Sequence, residues 1–327
     1  MPMISVREAL RHALDQAMAE DDSVIVFGED VAEFGGAFKV TKGLWSKYGP
    51  KRVRDTPISE AAIIGLAIGA AELGMRPIAE IMFCDFLYVA MDQIVNQLAK
   101  MKYMLGGQAV LPVVVRTTYG AGVSAAAQHS QSNEALFLHT PGLKIAMPSN
   151  PLDAKGLLAT AIEDPNPVLF FEHKCLYDSK GEVPDGEVRI PFGKCSVKRT
   201  GTDVTVVATG LMVHRSMEAS GKLESEGISV EVIDPRTLVP LDIASILESV
   251  EKTGHLVIVH EAPTVGGVAA EISAQVTELG FRSLKAPVMR VCGANVPIPF
   301  APVLEKAVIP DCNAVMEGVR AAVRYQR

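Results

Sequence analysis

The feature of the sequence that most limits its fold is a series of short apolar, β-branched runs, each followed by a longer segment with helical periodicity. Continuous apolar runs of this length between helices are typical of parallel strands that are covered on both faces. In chain order the runs are SVIVFGED, RPIAEIMF, LPVVVRTTYGAG, LKIAMPSN, PVLFFEHKCLY, TDVTVVATG, ISVEVIDPRTLVPLD, HLVIVHEAP and APVMRVCG. The pattern predicts an α/β protein built from doubly wound parallel sheets.

The segment DSKGEVPDGEVRIP, at residues 178–191, divides these runs into two groups. It is rich in Gly, Pro and charge and shows little hydrophobic periodicity, which is typical of a linker. A chain of 327 residues is also long enough for two domains. We predict a first domain over residues 1–178, a linker over 179–191 and a second domain over 192–327.

The composition excludes several classes of protein. The net charge is −7 and the longest basic cluster is KRVR at 51–54, so no phosphate-tracking surface for nucleic acid is indicated. The five cysteines have no CxxC spacing, which argues against a zinc site or a disulfide framework and favours a reduced cytoplasm. The N-terminus reads as an amphipathic helix capped by Ser5 rather than as a signal peptide. The mature form of an organellar protein would read the same way.

The segment 55–74 places one acidic side chain, Glu60, at the mouth of an apolar helix. Pro57 restricts the residue before it to extended conformations and Ser59 is a good N-cap, so we expect the helix to begin within a residue of Glu60. Gly74 is expected to end it. The apolar run 61–71 has only about half of the roughly 20 residues that a membrane span requires.

Two roles are open for Glu60. As an acid in the first helical turn, it could simply complement the helix dipole, and composition alone favours this role. Its surroundings of Ile, Ala and Gly favour a second role, because a poorly solvated carboxyl is less stable in its charged form. Such a group can exchange protons near neutral pH.

The segments DTPISEAAIIGLAIGAA, RPIAE and MDQIVNQLAK closely resemble the β subunit of the E1 component of 2-oxo acid dehydrogenase complexes, which are thiamine diphosphate enzymes. The resemblance continues through GEDV at 28, RTTYGAG at 116, AAAQHSQS at 125, PGLK at 141 and DAKGLL at 153 to VIDPRTLVPLD and HEAP. It covers nearly the whole chain. It implies a transketolase-like, pyrimidine-binding domain followed by a transketolase C-terminal-like domain.

The resemblance also implies a set of site residues. The family's acid that matches Glu60 hydrogen-bonds N1′ of the cofactor's aminopyrimidine ring and promotes its imino tautomer, which deprotonates the thiazolium C2. The residues that match Glu29, Met82 and Phe86 lie close to the cofactor, the last two beside the aminopyrimidine ring. The histidine that matches His129 hydrogen-bonds the substrate or the covalent intermediate and assists transfer to the lipoyl arm, since an imidazole exchanges protons near neutral pH. Without the resemblance, Glu29 is more typical of a solvated loop acid and His129 of a structural histidine.

The loop AIEDPNP, at residues 161–167, matches a segment that binds a potassium ion in many members of the family. The matching positions are Val113, Ala161, Ile162, Asp164 and Asn166. Carbonyl and carboxylate oxygens suit a hard cation, but an ordinary Asp/Asn/Pro turn has the same composition.

Two residues of the second domain, His260 and Glu261, stand together at the end of a predicted strand and could form an acid/base pair. We interpret them as structural or interfacial, because this domain carries no cofactor chemistry in the family that the chain resembles.

The chain has no GDG motif, which in this superfamily holds the cofactor's diphosphate through a divalent metal together with an Asn further along. The sequence therefore predicts that a separate α subunit supplies the diphosphate anchor and Mg²⁺, in an α2β2 heterotetramer. The helix face with Gly65 and Gly69 is a candidate for close packing between subunits. The wider complex would contain a lipoyl-bearing E2 acyltransferase and an E3 dihydrolipoyl dehydrogenase.

The substrate is harder to infer. RTTYGAG, AAAQHSQS, VNQLAKMKYM and PSNPLDAKGLL look most like acetoin dehydrogenase β subunits, whereas EFGGAF and the HEAP region also resemble pyruvate and branched-chain 2-oxo acid enzymes. We favour cleavage of acetoin to acetaldehyde with transfer of an acetyl group to lipoamide. The competing hypotheses are a self-sufficient thiamine enzyme of the transketolase type, for which the chain is short, and a non-catalytic α/β interaction module.

Overall fold

The computed structural model describes residues 1–325 and divides into two compact units. Unit 1 comprises residues 1–119 and 136–192, and unit 2 comprises residues 120–135 together with the chain from Gly193 onward. The segment 120–135 is thus separated from its sequence neighbours and packs with the C-terminal part of the chain. We return to this segment below, because it carries His129.

Unit 1 is built on a sheet whose strands from this unit run parallel to one another, as predicted. In order across the sheet, the strands of this unit are Lys144–Ala146, Val168–His173, Val114–Tyr119, Arg76–Phe83, Val24–Gly28 and Val53–Asp55. A separate antiparallel pair joins Met3–Ser5 to Lys180–Glu182. The α-helices are Val6–Glu20, Leu44–Tyr48, Glu60–Glu72, Met101–Met104 and Pro151–Glu163, and Glu134–Leu138 spans the boundary between the units in the chain.

The first helix begins where its sequence predicts. The Ser5 side chain accepts the N–H of Glu8 at 3.2 Å, and the Glu8 carboxylate accepts the N–H of Ser5 at 2.8 Å. This capping box satisfies two of the backbone donors that every helix leaves open at its start. The predicted Ser5 cap is confirmed.

The sequence CDFLYVAMDQIVNQLAKMKYML, at residues 84–105, predicts one helix, and this prediction is wrong. The chain forms a 3₁₀ turn at Cys84–Tyr88, a π-helical turn at Gln93–Leu98 and a short α-helix at Met101–Met104. Cys84 and Leu87 are both fully buried, a spacing of three residues that a 3₁₀ turn places on one side.

Unit 2 contains a second sheet with mostly parallel neighbours. Its order is Met289–Gly293, Leu256–Pro263, Val204–Ala208, Val230–Asp234 and Ser196–Arg199, of which only the last runs antiparallel to its neighbour. A further short strand covers Thr237–Val239, a 3₁₀ turn covers Phe281–Ser283, and the helices are Leu211–Glu224, Ile243–Thr253, Val268–Gly280, Pro302–Val308 and Cys312–Val323. Within residues 1–325, no helix is both long and apolar enough to cross a bilayer.

Candidate active site

Glu60 and Glu29 lie close together in unit 1, at the carboxyl end of its sheet. Glu60 is the first residue of the helix Glu60–Glu72, as predicted, and only 8% of its surface is exposed. Glu29 directly follows the strand Val24–Gly28 and is half-buried. Burial raises the pKa of Glu29, and the negative charges of Glu60 and Asp30 raise it further. The predicted N-cap residue, Ser59, occupies its position without a capping hydrogen bond from its side chain.

Met82 and Phe86 are both half-buried at the end of the strand Arg76–Phe83 and in the 3₁₀ turn that follows it. The Met82 carbonyl oxygen accepts the Thr118 hydroxyl at 2.5 Å, which fixes the strand end. Phe86 packs edge-to-face on Phe83, with ring centroids 6.0 Å apart.

The aromatic contacts extend beyond the residues that the sequence singled out. Phe83 packs edge-to-face on Phe38 at 5.7 Å, and Phe38 stacks on Tyr177 at 5.1 Å. A row of rings therefore supports Phe86 from the interior of unit 1.

Behind this region lies a buried charge cluster that sequence reasoning missed, which we call the Arg116 cluster and which comprises Glu80, Arg116, Glu172 and Tyr177. The Arg116 guanidinium donates to Glu172 through two nitrogens, at 2.7 and 2.8 Å, and to Glu80 at 2.7 Å. The Tyr177 hydroxyl donates to Glu172 at 2.7 Å. A charged residue inside each of three apolar strands, in RPIAEIMF, LPVVVRTTYGAG and PVLFFEHKCLY, was the available signal.

The Arg116 cluster contains two carboxyl groups for one guanidinium. Burial raises the pKa of Glu80 even though the Arg116 charge acts in the opposite direction. Burial by itself would lower the pKa of Arg116, but the negative charges of Glu172 and Glu80 outweigh it and raise that pKa. The pKa of Tyr177 is raised well above its usual value, chiefly by burial. The cluster thus favours a charged guanidinium, while burial works against the charged form of Glu80.

His129 is half-buried in the segment 120–135 of unit 2. Its backbone N–H donates to the Ala126 carbonyl at 3.3 Å, which closes a turn. The candidate site residues therefore divide between the two units: Glu29, Glu60, Met82 and Phe86 belong to unit 1, and His129 belongs to unit 2.

His260 and Glu261 make structural contacts within unit 2, in agreement with our interpretation. His260 Nε2 lies 2.5 Å from Glu134 Oε1, and Glu261 accepts the backbone N–H of Ala121 at 2.5 Å. Both partners belong to the segment 120–135.

The residues that match a potassium site do not form a cluster of free oxygens. The carbonyl groups of Val113, Ala161 and Ile162 accept hydrogen bonds from Val168, Asp164 and Arg76. Asp164 forms an ion pair with Lys144, and the Asn166 side-chain oxygen accepts Lys102 Nζ at 2.8 Å. Among the described residues, no group of three or more His, Cys, Asp or Glu is arranged to hold a metal ion. A potassium ion here would depend on the second lone pairs of carbonyl oxygens, because the side-chain oxygens of Asp164 and Asn166 already accept hydrogen bonds from lysines.

The glycine face of the helix Glu60–Glu72 is open. Gly65 and Gly69 are exposed, and no atom lies within 4 Å of the position that a Cβ would take at either residue. Large apolar side chains lie exposed on or beside this helix, including Ile58, Leu66 and Leu73, at 81%, 51% and 87%. This face is a contiguous apolar surface of the kind that marks a protein interface.

Two family models match the chain, and the first match includes the segment 120–135 of unit 2. The model described as the transketolase pyrimidine binding domain matches residues 2–180, and the model described as the transketolase C-terminal domain matches residues 193–315. Among solved structures, a chain titled "Split gene transketolase, inactive beta4 tetramer" is 26% identical, with a TM-score of 0.81 and 99% of both chains covered.

Curated relatives share about half of their residues with the chain. It is 50% identical to the acetoin:2,6-dichlorophenolindophenol oxidoreductase subunit beta of Cupriavidus necator, with 98% of both chains covered. It is 48% identical to the pyruvate dehydrogenase E1 component subunit beta of Rickettsia felis, with 98% of this chain and 99% of the relative covered. It is 45% identical to the 2-oxoisovalerate dehydrogenase subunit beta of Bacillus subtilis, with 99% of this chain and 100% of the relative covered.

Proposed function

Because the chain belongs to the thiamine diphosphate-dependent family of E1 β subunits of acetoin and 2-oxo acid dehydrogenase complexes, we propose that it cleaves acetoin, with Glu60 and His129 as its catalytic side chains. The observation that carries the proposal is the burial of Glu60 at a helix start beside Glu29, whose pKa is raised. The negative charge of Glu60 is one cause of the raised pKa of Glu29, so the two carboxyl groups interact electrostatically. Such a pair is suited to donate to or accept from a ring nitrogen.

The arrangement in unit 1 fits the aminopyrimidine end of the cofactor. Glu60 would form a hydrogen bond to a ring nitrogen, and Glu29 would act on Glu60 electrostatically. Met82 and Phe86 would provide apolar contacts that leave the ring nitrogens to Glu60. When bound, thiamine diphosphate supplies a nucleophilic thiazolium carbon. In this proposal His129 hydrogen-bonds the substrate and moves a proton during acyl transfer.

Sequence similarity favours acetoin over the alternative substrates. Acetoin cleavage breaks the bond between the carbonyl and carbinol carbons, releases acetaldehyde and leaves a two-carbon unit that is transferred as acetyl to lipoamide. The relative with 50% identity is named for acetoin, whereas those named for pyruvate and 2-oxoisovalerate are 48% and 45% identical. These sequence identities are close to one another, so the assay compares acetoin, pyruvate and branched 2-oxo acids.

The test is a dye-reduction assay on this chain co-expressed with an α subunit, in thiamine diphosphate and magnesium. We expect acetoin to give the highest kcat/KM among acetoin, pyruvate and branched 2-oxo acids. Glu60→Gln should lower kcat by about 100-fold or more, the usual contribution of a general acid or base. The control is Glu72→Gln on the same helix, where the carboxyl is exposed. Wild-type turnover by Glu60→Gln would reject the catalytic role of Glu60. A preference for a 2-oxo acid would change the assigned substrate but leave that role intact.

We propose further that an α subunit supplies the diphosphate and Mg²⁺ ligands and packs on the glycine face around Gly65 and Gly69. The absence of a GDG motif and the open space at both glycines support this arrangement. Gly65→Leu should therefore reduce α2β2 assembly in size-exclusion chromatography. Gly221→Leu is the matched control, because Gly221 also lies inside a helix with open space around it. Equal assembly of both variants would contradict the proposed interface.

The remaining predictions concern the wider complex and a monovalent ion. We propose a cytoplasmic complex with a lipoyl-bearing E2 acyltransferase and an E3 dihydrolipoyl dehydrogenase, and the domain boundaries 1–178, 179–191 and 192–327 stay predictions. The potassium role of Val113, Ala161, Ile162, Asp164 and Asn166 also stays a prediction. If it holds, replacing NaCl by KCl at equal ionic strength should raise the melting temperature.

A further inference from the structure

The segment 120–135 of unit 2 has a backbone conformation that its sequence does not favour. Ser124 and Ala126 have φ values of 56° and 62°, in the left-handed region that only glycine adopts without strain. Each such residue is conformationally strained. Non-glycine residues stay in this region only when surrounding contacts hold them there.

The contacts that hold the beginning of the segment come from a buried carboxylate, Glu305, on the helix Pro302–Val308. The Glu305 side chain accepts the backbone N–H of Gly122 at 2.7 Å and that of Ser124 at 3.0 Å. The Ser124 hydroxyl adds a longer contact of 3.4 Å. Glu305 is only 2% exposed, so these bonds to a charged acceptor are shielded from water.

The strand Leu256–Pro263 contributes two further contacts from consecutive residues. Glu261 accepts the N–H of Ala121, next to the Glu305 contacts, and His260 contacts Glu134 at the other end of the segment. Consecutive side chains on a regular strand point to opposite faces. Here the strand register shifts between His260 and Pro263, and this irregularity accompanies two neighbouring side chains that reach the same segment.

We propose that Glu305, supported by Glu261, is a positioning residue for His129. By fixing the backbone N–H groups of Ala121, Gly122 and Ser124, the two carboxylates set the path of the strained turn through Ser124 and Ala126, and thereby the location of the imidazole. Neither carboxylate touches the substrate. The inference rests on the proposed catalytic role of His129.

The experiment uses the enzyme assembled from this chain and its α subunit. Hydrogen exchange of peptides covering residues 120–135 is compared among wild type, Glu305→Ala and Glu305→Gln. Glu278→Ala is the control, since Glu278 is an exposed carboxyl on another helix of unit 2. We expect Glu305→Ala to speed exchange in this segment at least about tenfold, because hydrogen bonds to a charged group are lost. Glu305→Gln keeps one acceptor oxygen and should restore part of the protection.

Kinetics then separate positioning from general stability. Glu305→Ala should lower kcat about 10- to 100-fold with little change in KM, as expected when a catalytic group is misplaced. When Glu305→Ala is combined with His129→Ala, it should lower kcat no further. A residue that acts through His129 has no effect once the imidazole is gone. Glu305→Gln and Glu261→Gln give the same comparison if the alanine variant fails to fold.

Three results would overturn the inference. These are unchanged exchange in both Glu305 variants, faster exchange with an unchanged kcat, and an undiminished loss of kcat in the His129→Ala background. Full activity of His129→Ala alone would instead reject the proposed role of His129. That failure is distinguishable, because it is measured with Glu305 intact.

Discussion

Two sets of buried carboxylates, one in each unit, are compensated in different ways. In unit 1, Glu80 and Glu172 are paired with the guanidinium of Arg116 across three neighbouring strands. In unit 2, Glu261, Glu305 and Asp242 accept hydrogen bonds from backbone N–H groups. A side-chain cation braces a sheet without dictating the path of any loop, whereas backbone donors tie the carboxylate to one loop conformation. The first arrangement ties together three strands of the sheet in unit 1. The second fixes the backbone of a loop, as in the segment 120–135.

The largest expected effect comes from breaking the charge pairing in unit 1. Arg116→Met leaves two buried carboxylates without a cation and should lower the free energy of unfolding by about 3–5 kcal/mol. Denaturant unfolding would measure the loss. Arg189→Met, which removes a more exposed pair with Glu163, should cost about 1 kcal/mol or less.

A triple variant sharpens this prediction. Combining Arg116→Met with Glu80→Gln and Glu172→Gln removes all three charges and should recover most of the loss, because a buried charge is expensive chiefly when it is left unpaired. If the triple variant is as unstable as Arg116→Met, the guanidinium contributes through packing rather than through charge.

The contributions of Glu80 in unit 1 and Asp242 in unit 2 to stability should depend on pH with opposite signs. The pKa of Glu80 is raised in the folded state, so its contribution is present below the pKa of the unfolded chain and is lost as the pH rises through the folded value. Burial would raise the pKa of Asp242, but hydrogen bonds from the backbone of Cys195 and from Ser245 outweigh it and lower that pKa. The contribution of Asp242 is therefore present above the unfolded pKa and is lost as the pH falls through the folded value.

Unfolding measured from acidic to neutral pH in Glu80→Gln and Asp242→Asn tests this contrast. Relative to wild type, the free energy of unfolding of Glu80→Gln should increase as the pH rises. That of Asp242→Asn should decrease. Parallel pH profiles for the two variants would show that the two environments do not differ as we infer.

The smallest expected effect concerns the strained backbone of the segment 120–135. Ala126→Gly removes the cost of a left-handed alanine, about 1–2 kcal/mol, but the glycine loses about 0.5–1 kcal/mol more conformational freedom on folding. The net result should be a gain of about 0.5–1 kcal/mol in the free energy of unfolding. Ala61→Gly, in the first turn of a regular helix, should instead destabilise the chain by a similar amount.

Much of unit 1 could be predicted from local patterns. The parallel strands, the Ser5 cap and the start of a helix at Glu60 follow from apolar periodicity, capping residues and proline sterics, which act over a few residues. The pairing within the Arg116 cluster was not foreseen, although single charges inside apolar strands signalled it. The break of the segment 84–105 into 3₁₀, π and α turns was not foreseen, because its apolar residues are compatible with one continuous helix.

The sequence alone determined the α/β class, the family and the residues that carry the proposed chemistry, because these depend on short motifs and on the spacing of apolar residues. Only the tertiary structure decided that residues 120–135 belong with the C-terminal unit and that Glu305 holds them. Glu305 and Gly122 are 183 positions apart in the chain. A hydrogen bond between a distant carboxylate and a backbone N–H leaves no pattern in the local sequence, since every non-proline residue offers the same donor.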